Sequence, residues 1–164
     1  GIVGASGFAI WAFVEEILKY FAAKKTAFAK KYFDEPVDAL IYMITAALGF
    51  ASLENTLFIF KSFLDSSIIE GISTGNMRFI GATLLHTASS ALVGAAIAFS
   101  FFHKEDRRRN VIGGLLLAGL LHFTFNYFIM KSEGGNILKI LMPLWLAVIA
   151  IIFVFEKVKR IKRN

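Results

Sequence analysis

Glu15, Glu16 and Lys19 form the first of four polar groups in a strongly apolar chain. The others are Glu54 with Asn55, Arg78 with His86, and His122 with Asn126. A carboxylate beside a neutral imidazole in a partly dry pocket is a water-activating pair. The carboxylate takes a proton from water as general base and passes it to a leaving amine. A His or Asn side chain then donates to the developing oxyanion. The same residue types permit a second chemistry. Glu54, His86 and His122 supply three ligands for one divalent metal such as zinc, with a fourth position open. The local His-Glu-x-x-His signature of such sites is absent, and so are a legible Ser-His-Asp set and any cysteine. The residues alone leave the cofactor open between none and one divalent ion.

Each of these residues also has a plain structural reading. His86 or His122 alone is a packing residue, and Asn126 alone joins helices by hydrogen bonding. Glu15 and Glu16 read as an interfacial pair, Glu54 as a hydrogen-bonded structural carboxyl, and Arg78 as an anchor at the outer interface. His103 lies in a charged loop and reads as plain surface. The joint occurrence outweighs these readings. A charge at mid-bilayer costs about 2.5–3.5 kcal/mol on insertion scales, so a structural protein has no reason to carry several.

The elements that must position these groups follow from composition. The 164 residues are 57% hydrophobic and only 18% charged, and 18 are Phe. A soluble domain is typically about 45–50% apolar with about a quarter of its residues charged. A chain this short cannot bury so much apolar surface in water. Disorder and a disulfide scaffold are excluded by the apolar content and by the lack of cysteine. The expectation is an all-α polytopic membrane bundle, a single domain over 1–164. Five spans are read at about 2–28, 37–60, 77–102, 111–130 and 137–155, each long enough for a core of about 30 Å. Pro36 suits the first turn of the second helix. The stretch from Lys61 to Asn76 reads as an outer loop with at most a short helical turn. The abrupt start, with no initiator Met, is compatible with a fragment that lacks upstream helices.

The basic residues then sort themselves. Lys24, Lys25, Lys30, Lys31, Lys104, Arg107, Arg108, Arg109, Lys157, Lys159, Arg160, Lys162 and Arg163 fall on one side, thirteen of the 18. The positive-inside rule makes that side cytoplasmic, giving an outer N-terminus, a cytoplasmic C-terminus and cytoplasmic basic loops. The net charge of +6 is therefore an orientation signal. No nucleic-acid partner is needed, since the lipid bilayer accounts for the basic loops.

Helical spacing brings the polar groups together. Glu15 and Lys19 are four apart on one face and are expected to pair. Gly4, Phe8 and Trp11 precede them on that face. Glu16 is about 100° further round and is expected to point elsewhere. Ala47, Phe50 and Glu54 make a second stripe. His86, Ser90, Gly94 and Ala98 make a third, of the small-residue kind that lets helices approach closely. His122 and Asn126 share a face of the fourth span. Counting depths puts Glu15 nearer the cytoplasm than His122. The conflict is removed if the first helix stays embedded to about Phe28 with Lys24 and Lys25 snorkelling. A polar cavity among four helices follows.

The four groups in this order resemble a known family. Glu15-Glu16-Ile17-Leu18-Lys19 is similar to the E-E-x-x-K motif of PrsW-type intramembrane proteases, and Gly49 to Asn55 to their G-F-A-x-x-E-N segment. Arg78 to His86 resembles the third element and His122 to Asn126 the fourth, H-x-x-x-N. The resemblance implies membership of the CAAX-prenyl-protease-like, glutamic-type superfamily of intramembrane peptidases. It implies Glu15 and Glu16 as base candidates, with Glu54 holding water. His86 would complete the water or metal site, and His122 with Asn126 would stabilise the oxyanion. Lys19, Asn55 and Arg78 would be supporting residues. It further implies a hydrolase of the prokaryotic cytoplasmic membrane acting on a single-span, anti-sigma-factor-like substrate. Two alternatives remain in view: a non-catalytic membrane scaffold of the same superfamily, and a small proton-coupled transporter.

Overall fold

The computed structural model describes residues 5–65, 68–131 and 137–162. They form five helices: α1 (Ala5–Thr26), α2 (Pro36–Asp65), α3 (Ile68–Phe99), α4 (Lys104–Lys131) and α5 (Ile137–Val158). Lipid offers the backbone no hydrogen-bond partners, so each span satisfies its own as a helix. Four of them hold a stretch long and apolar enough to cross a membrane: Pro36–Asp65, Phe79–Phe99, Lys104–Ile129 and Leu141–Val158. The remaining helix, α1, has 22 residues. Glu15, Glu16 and Lys19 in its middle make it too polar for that description.

Pro36 opens α2, where its missing N–H costs nothing. The Asp38 carboxylate accepts from the backbone N–H of Glu35 at 2.9 Å and of Asp34 at 3.1 Å. That satisfies donors a helix start leaves open. The expected outer loop over Lys61 to Asn76 is largely helical instead. α2 continues to Asp65 and α3 begins at Ile68. The Lys61 ammonium pairs with Asp65 one turn on. The Gly and Ser residues there looked like loop punctuation, but helix continues beyond the apolar stretch on either side of residues 66 and 67, which lie outside the described residues. At 1.5 Å per residue, α2 and α3 are about 45 and 48 Å long, more than a hydrocarbon core of about 30 Å requires.

Burial is inverted relative to a water-soluble domain. Large apolar side chains such as Ile10, Leu57, Phe60, Phe79, Leu117 and Phe153 face outwards. Glu15, Glu16, Lys19, His86, Ser89, Ser90 and His122 are buried. Such a surface suits lipid and would be unstable in water. Trp11 is 64% exposed and leaves the inward face expected for it.

Small residues bring the helices close enough to enclose the polar groups. Ala39, Met43, Ala47 and Ala51 bury one stripe of α2, and Ser90, Ala91 and Ala98 bury the facing side of α3. At Gly94 the backbones nearly touch. A Cβ there would lie 2.8 Å from the carbonyl oxygen of Ala39 and 2.8 Å from Cα of Leu40. A Cβ on Gly119 would overlap the ring of Phe13, which fixes α1 on α4.

The three basic segments share one end of the bundle. Phe33, after α1, packs on Phe101, which precedes α4, with ring centroids 5.2 Å apart. The Lys157 ammonium near the end of α5 sits 5.8 Å from the Phe99 ring centroid. Helix α1 ends at Thr26, and turns carry the chain on through Phe28 and Phe33. The Lys24 ammonium lies 5.7 Å from the ring centroids of both Tyr20 and Phe21. Glu15 and Glu16, in the middle of α1, both reach the His122 ring on α4.

Candidate active site

Glu16 is the hub of the buried cluster and is fully inaccessible to solvent. Its Oε1 accepts from the Lys19 ammonium one turn on. The same oxygen accepts from the Ser89 hydroxyl at 2.7 Å and lies 2.9 Å from His122 Nδ1. Its Oε2 accepts from the Ser90 hydroxyl at 3.2 Å. So α1 is tied through one carboxylate to both α3 and α4. The expected Glu15–Lys19 pairing is thereby corrected: Lys19 takes Glu16, at i and i+3. Glu16 points inwards because α1 is embraced by neighbours over more than one face.

Glu15 lies beside the same imidazole on its other edge. Its Oε2 is 3.6 Å from His122 Nε2. Glu16 is an acceptor, so His122 donates to it through Nδ1–H and turns Nε2 towards Glu15. His86 stands across from His122, with ring centroids 4.9 Å apart in an edge-on arrangement. Its Nδ1 lies 3.0 Å from the Lys19 ammonium and its Nε2 2.9 Å from Glu54 Oε2. An ammonium only donates, so Nδ1 accepts from Lys19 and Nε2–H donates to Glu54. The Phe50 ring backs this assembly, 5.4 Å from His86 and 5.3 Å from the Lys19 ammonium by ring centroid.

Glu54 is the cluster's most open charged member, its side chain 23% exposed. Its neighbour Asn55 donates to the Thr83 hydroxyl at 3.1 Å and ties α2 to α3 just before His86. Asn126 lies one turn beyond His122 on α4, half-buried and outside this hydrogen-bonded set. Arg78 falls within α3, and its side chain lies outside the described residues. His103 is exposed between α3 and α4. The sequence reading missed Ser89 and treated Ser90 as packing. Two adjacent serines one turn after a buried histidine were the available signal.

Glu15, His86 and His122 each offer one ligand atom, and these atoms lie within 4.8 Å of one another. A divalent ion fits this donor set: the 3.6 Å between Glu15 Oε2 and His122 Nε2 is near the edge of about 3.4 Å between ligands on a tetrahedral ion with bonds of about 2.1 Å. The Glu16–His122 hydrogen bond is the outer-sphere contact that orients ligating histidines. Both His86 ring nitrogens are already engaged, Nδ1 by Lys19 and Nε2 by Glu54.

The fold and the site together define a polytopic helical membrane protein built around a buried carboxylate–imidazole centre. A family model described as PrsW family intramembrane metalloprotease matches residues 3–155, and the chain belongs to that family. It is 27% identical over 160 residues to Protease PrsW of Geobacillus kaustophilus, covering 96% of this chain and 65% of that protein. It is 26% identical over 149 residues to Protease PrsW of Shouchella clausii, covering 88% of this chain and 65% of that one. With Protease PrsW of Oceanobacillus iheyensis the identity is 28% over 153 residues, covering 93% and 66%. The chain thus spans about 65% of the length of these relatives. No solved structure matches it.

Proposed function

We propose that this protein is an intramembrane endopeptidase and that the Glu15–Glu16–Glu54–His86–His122 cluster is its hydrolytic centre. The observation that carries the reading is convergence. Groups from four helices meet in one buried cluster where lipid would otherwise exclude every one of them.

Each residue has a distinct task. Glu16 holds His122 so that Nε2 faces Glu15. Its oxygens are occupied by Lys19, Ser89, Ser90 and His122, so it orients rather than abstracts a proton. Glu15, His86 and His122 would hold a divalent ion such as zinc. When bound, that ion supplies Lewis-acid polarisation and a nucleophile at neutral pH. Glu54, on the open side, takes the proton from the attacking water, while His86 holds its carboxylate in place. Water's oxygen adds to the peptide carbonyl carbon, the C–N bond breaks, and Glu54 returns the proton to the leaving amine. Asn126, next to His122 on α4, donates to the oxyanion.

The substrate assigned is a single-span membrane protein of the anti-sigma-factor type, which rests on the family resemblance. It enters from the Glu54 side and loses local helix, exposing a peptide bond. The basic end of the bundle faces the cytoplasm, by the positive-inside rule. A non-catalytic scaffold would keep Glu15 and His122 too far apart to act together, and 3.6 Å does not support that.

Cleavage of a single-span reporter by the purified protein in liposomes tests the proposal. A strong divalent-metal chelator should lower the rate at least about 100-fold, and added zinc should restore it. His122→Ala should be inactive with or without zinc while remaining folded. Full turnover by metal-free protein would remove the metal from the mechanism, and full turnover by His122→Ala would remove the site.

A further inference from the structure

We propose that Ser89 and Ser90 are positioning residues for the site, holding both oxygens of Glu16 so that His122 presents Nε2 to Glu15. The inference rests on the peptidase reading and names a part of the machinery outside the four polar groups.

The contrast with other hydroxyls in the chain carries it. A Ser or Thr within a helix commonly donates to the carbonyl one turn back in its own helix. Thr26, Thr45, Thr56 and Thr87 all do so at 2.8 Å, and Ser100 does so at 3.0 Å. Ser89 and Ser90 instead send their hydroxyls across the interface to α1. Ser89 is 2.7 Å from Glu16 Oε1, against 3.2 Å from the carbonyl oxygen of His86. Ser90 reaches the other oxygen, Oε2, at 3.2 Å. Consecutive helical positions are about 100° apart, so the two hydroxyls bracket one carboxylate.

Both serines are fully buried, in a bundle where lipid-facing hydroxyls would gain nothing. With both oxygens fixed, the carboxylate plane is set and with it the acceptor direction for His122 Nδ1, 2.9 Å away. A carboxylate held only by Lys19 and His122 would rotate about its last torsion. The imidazole would follow it and swing Nε2 away from Glu15. Two small side chains therefore do from α3 what the spacing of α1 and α4 alone cannot.

The test measures cobalt(II) binding by competition with a chromophoric chelator, together with kcat and KM on the liposome reporter. Ser89→Ala/Ser90→Ala should lose about 10- to 100-fold in cobalt affinity and a similar factor in kcat, the range typical of outer-sphere partners. KM should stay within about twofold, because neither serine touches substrate. Ser89→Thr, which keeps the hydroxyl, should recover most of the single-variant loss. Each single alanine variant carries the same test at smaller size if the double variant does not fold. Cobalt affinity and kcat both within twofold of wild type would overturn the proposal. So would equal effects of Ser89→Thr and Ser89→Ala. Failure of the peptidase reading is distinguishable: no reporter cleavage by the wild type with zinc present sinks that reading, whereas the cobalt affinities still decide the serines.

Discussion

Two adjacent glutamates with different work give the sharpest prediction. Glu16 accepts from the Lys19 ammonium, two serine hydroxyls and His122 Nδ1 within a buried core. Glu16→Gln keeps the shape but removes the charge and one acceptor oxygen, leaving Lys19 a buried cation without its nearest counter-charge. Removing one partner of a buried ion pair costs about 3–5 kcal/mol. That is a large part of a typical total stability of about 5–15 kcal/mol. Glu15→Gln leaves the Lys19–Glu16–serine assembly intact and should cost clearly less than Glu16→Gln. Both variants should lose cleavage, for different reasons. Adding Lys19→Met to Glu16→Gln should recover at least half the lost stability, because the stranded charge is gone. The assay is denaturant or thermal unfolding in bicelles, run beside reporter cleavage. Equal destabilisation by the two glutamine variants, or no recovery in the double variant, would refute the division of labour.

Three further predictions concern neighbouring features. Gly94→Ala should destabilise by about 1–3 kcal/mol in the same unfolding assay, since its Cβ meets α2 backbone that cannot move aside. Glu54→Gln should lower kcat by about 10²–10⁴-fold, as expected for loss of a general base. It should unfold near the wild-type midpoint, because Gln still offers His86 an acceptor oxygen. Asn126→Ala should lower kcat by about 10²–10³-fold with little change in KM, the signature of a lost oxyanion donor.

Composition and charge placement made the helical membrane fold legible, because a hydrocarbon core leaves the backbone few choices. The polar groups were legible for the same reason: Glu54, His86 and His122 stood out as costs that lipid would not tolerate. Three things were not readable from one strand of sequence. Glu16 was expected to point away from Lys19 and instead takes it, since which glutamate lies deepest depends on how α3 and α4 flank α1. The serines looked like packing residues until Glu16 appeared opposite them. The Lys61 to Asn76 stretch looked like a loop, because Gly and Ser read the same in a helix that outruns the membrane as in a turn.

The central claim is that the buried cluster cuts a peptide bond. The most direct measurement is mass spectrometry of a single-span reporter incubated in liposomes with purified wild-type protein or with Glu15→Gln, the two matched for unfolding midpoint. The wild type should give defined hydrolysis products, and Glu15→Gln at least about 10³-fold less. Equal product from the two proteins, or none from either in the presence of zinc, would contradict it.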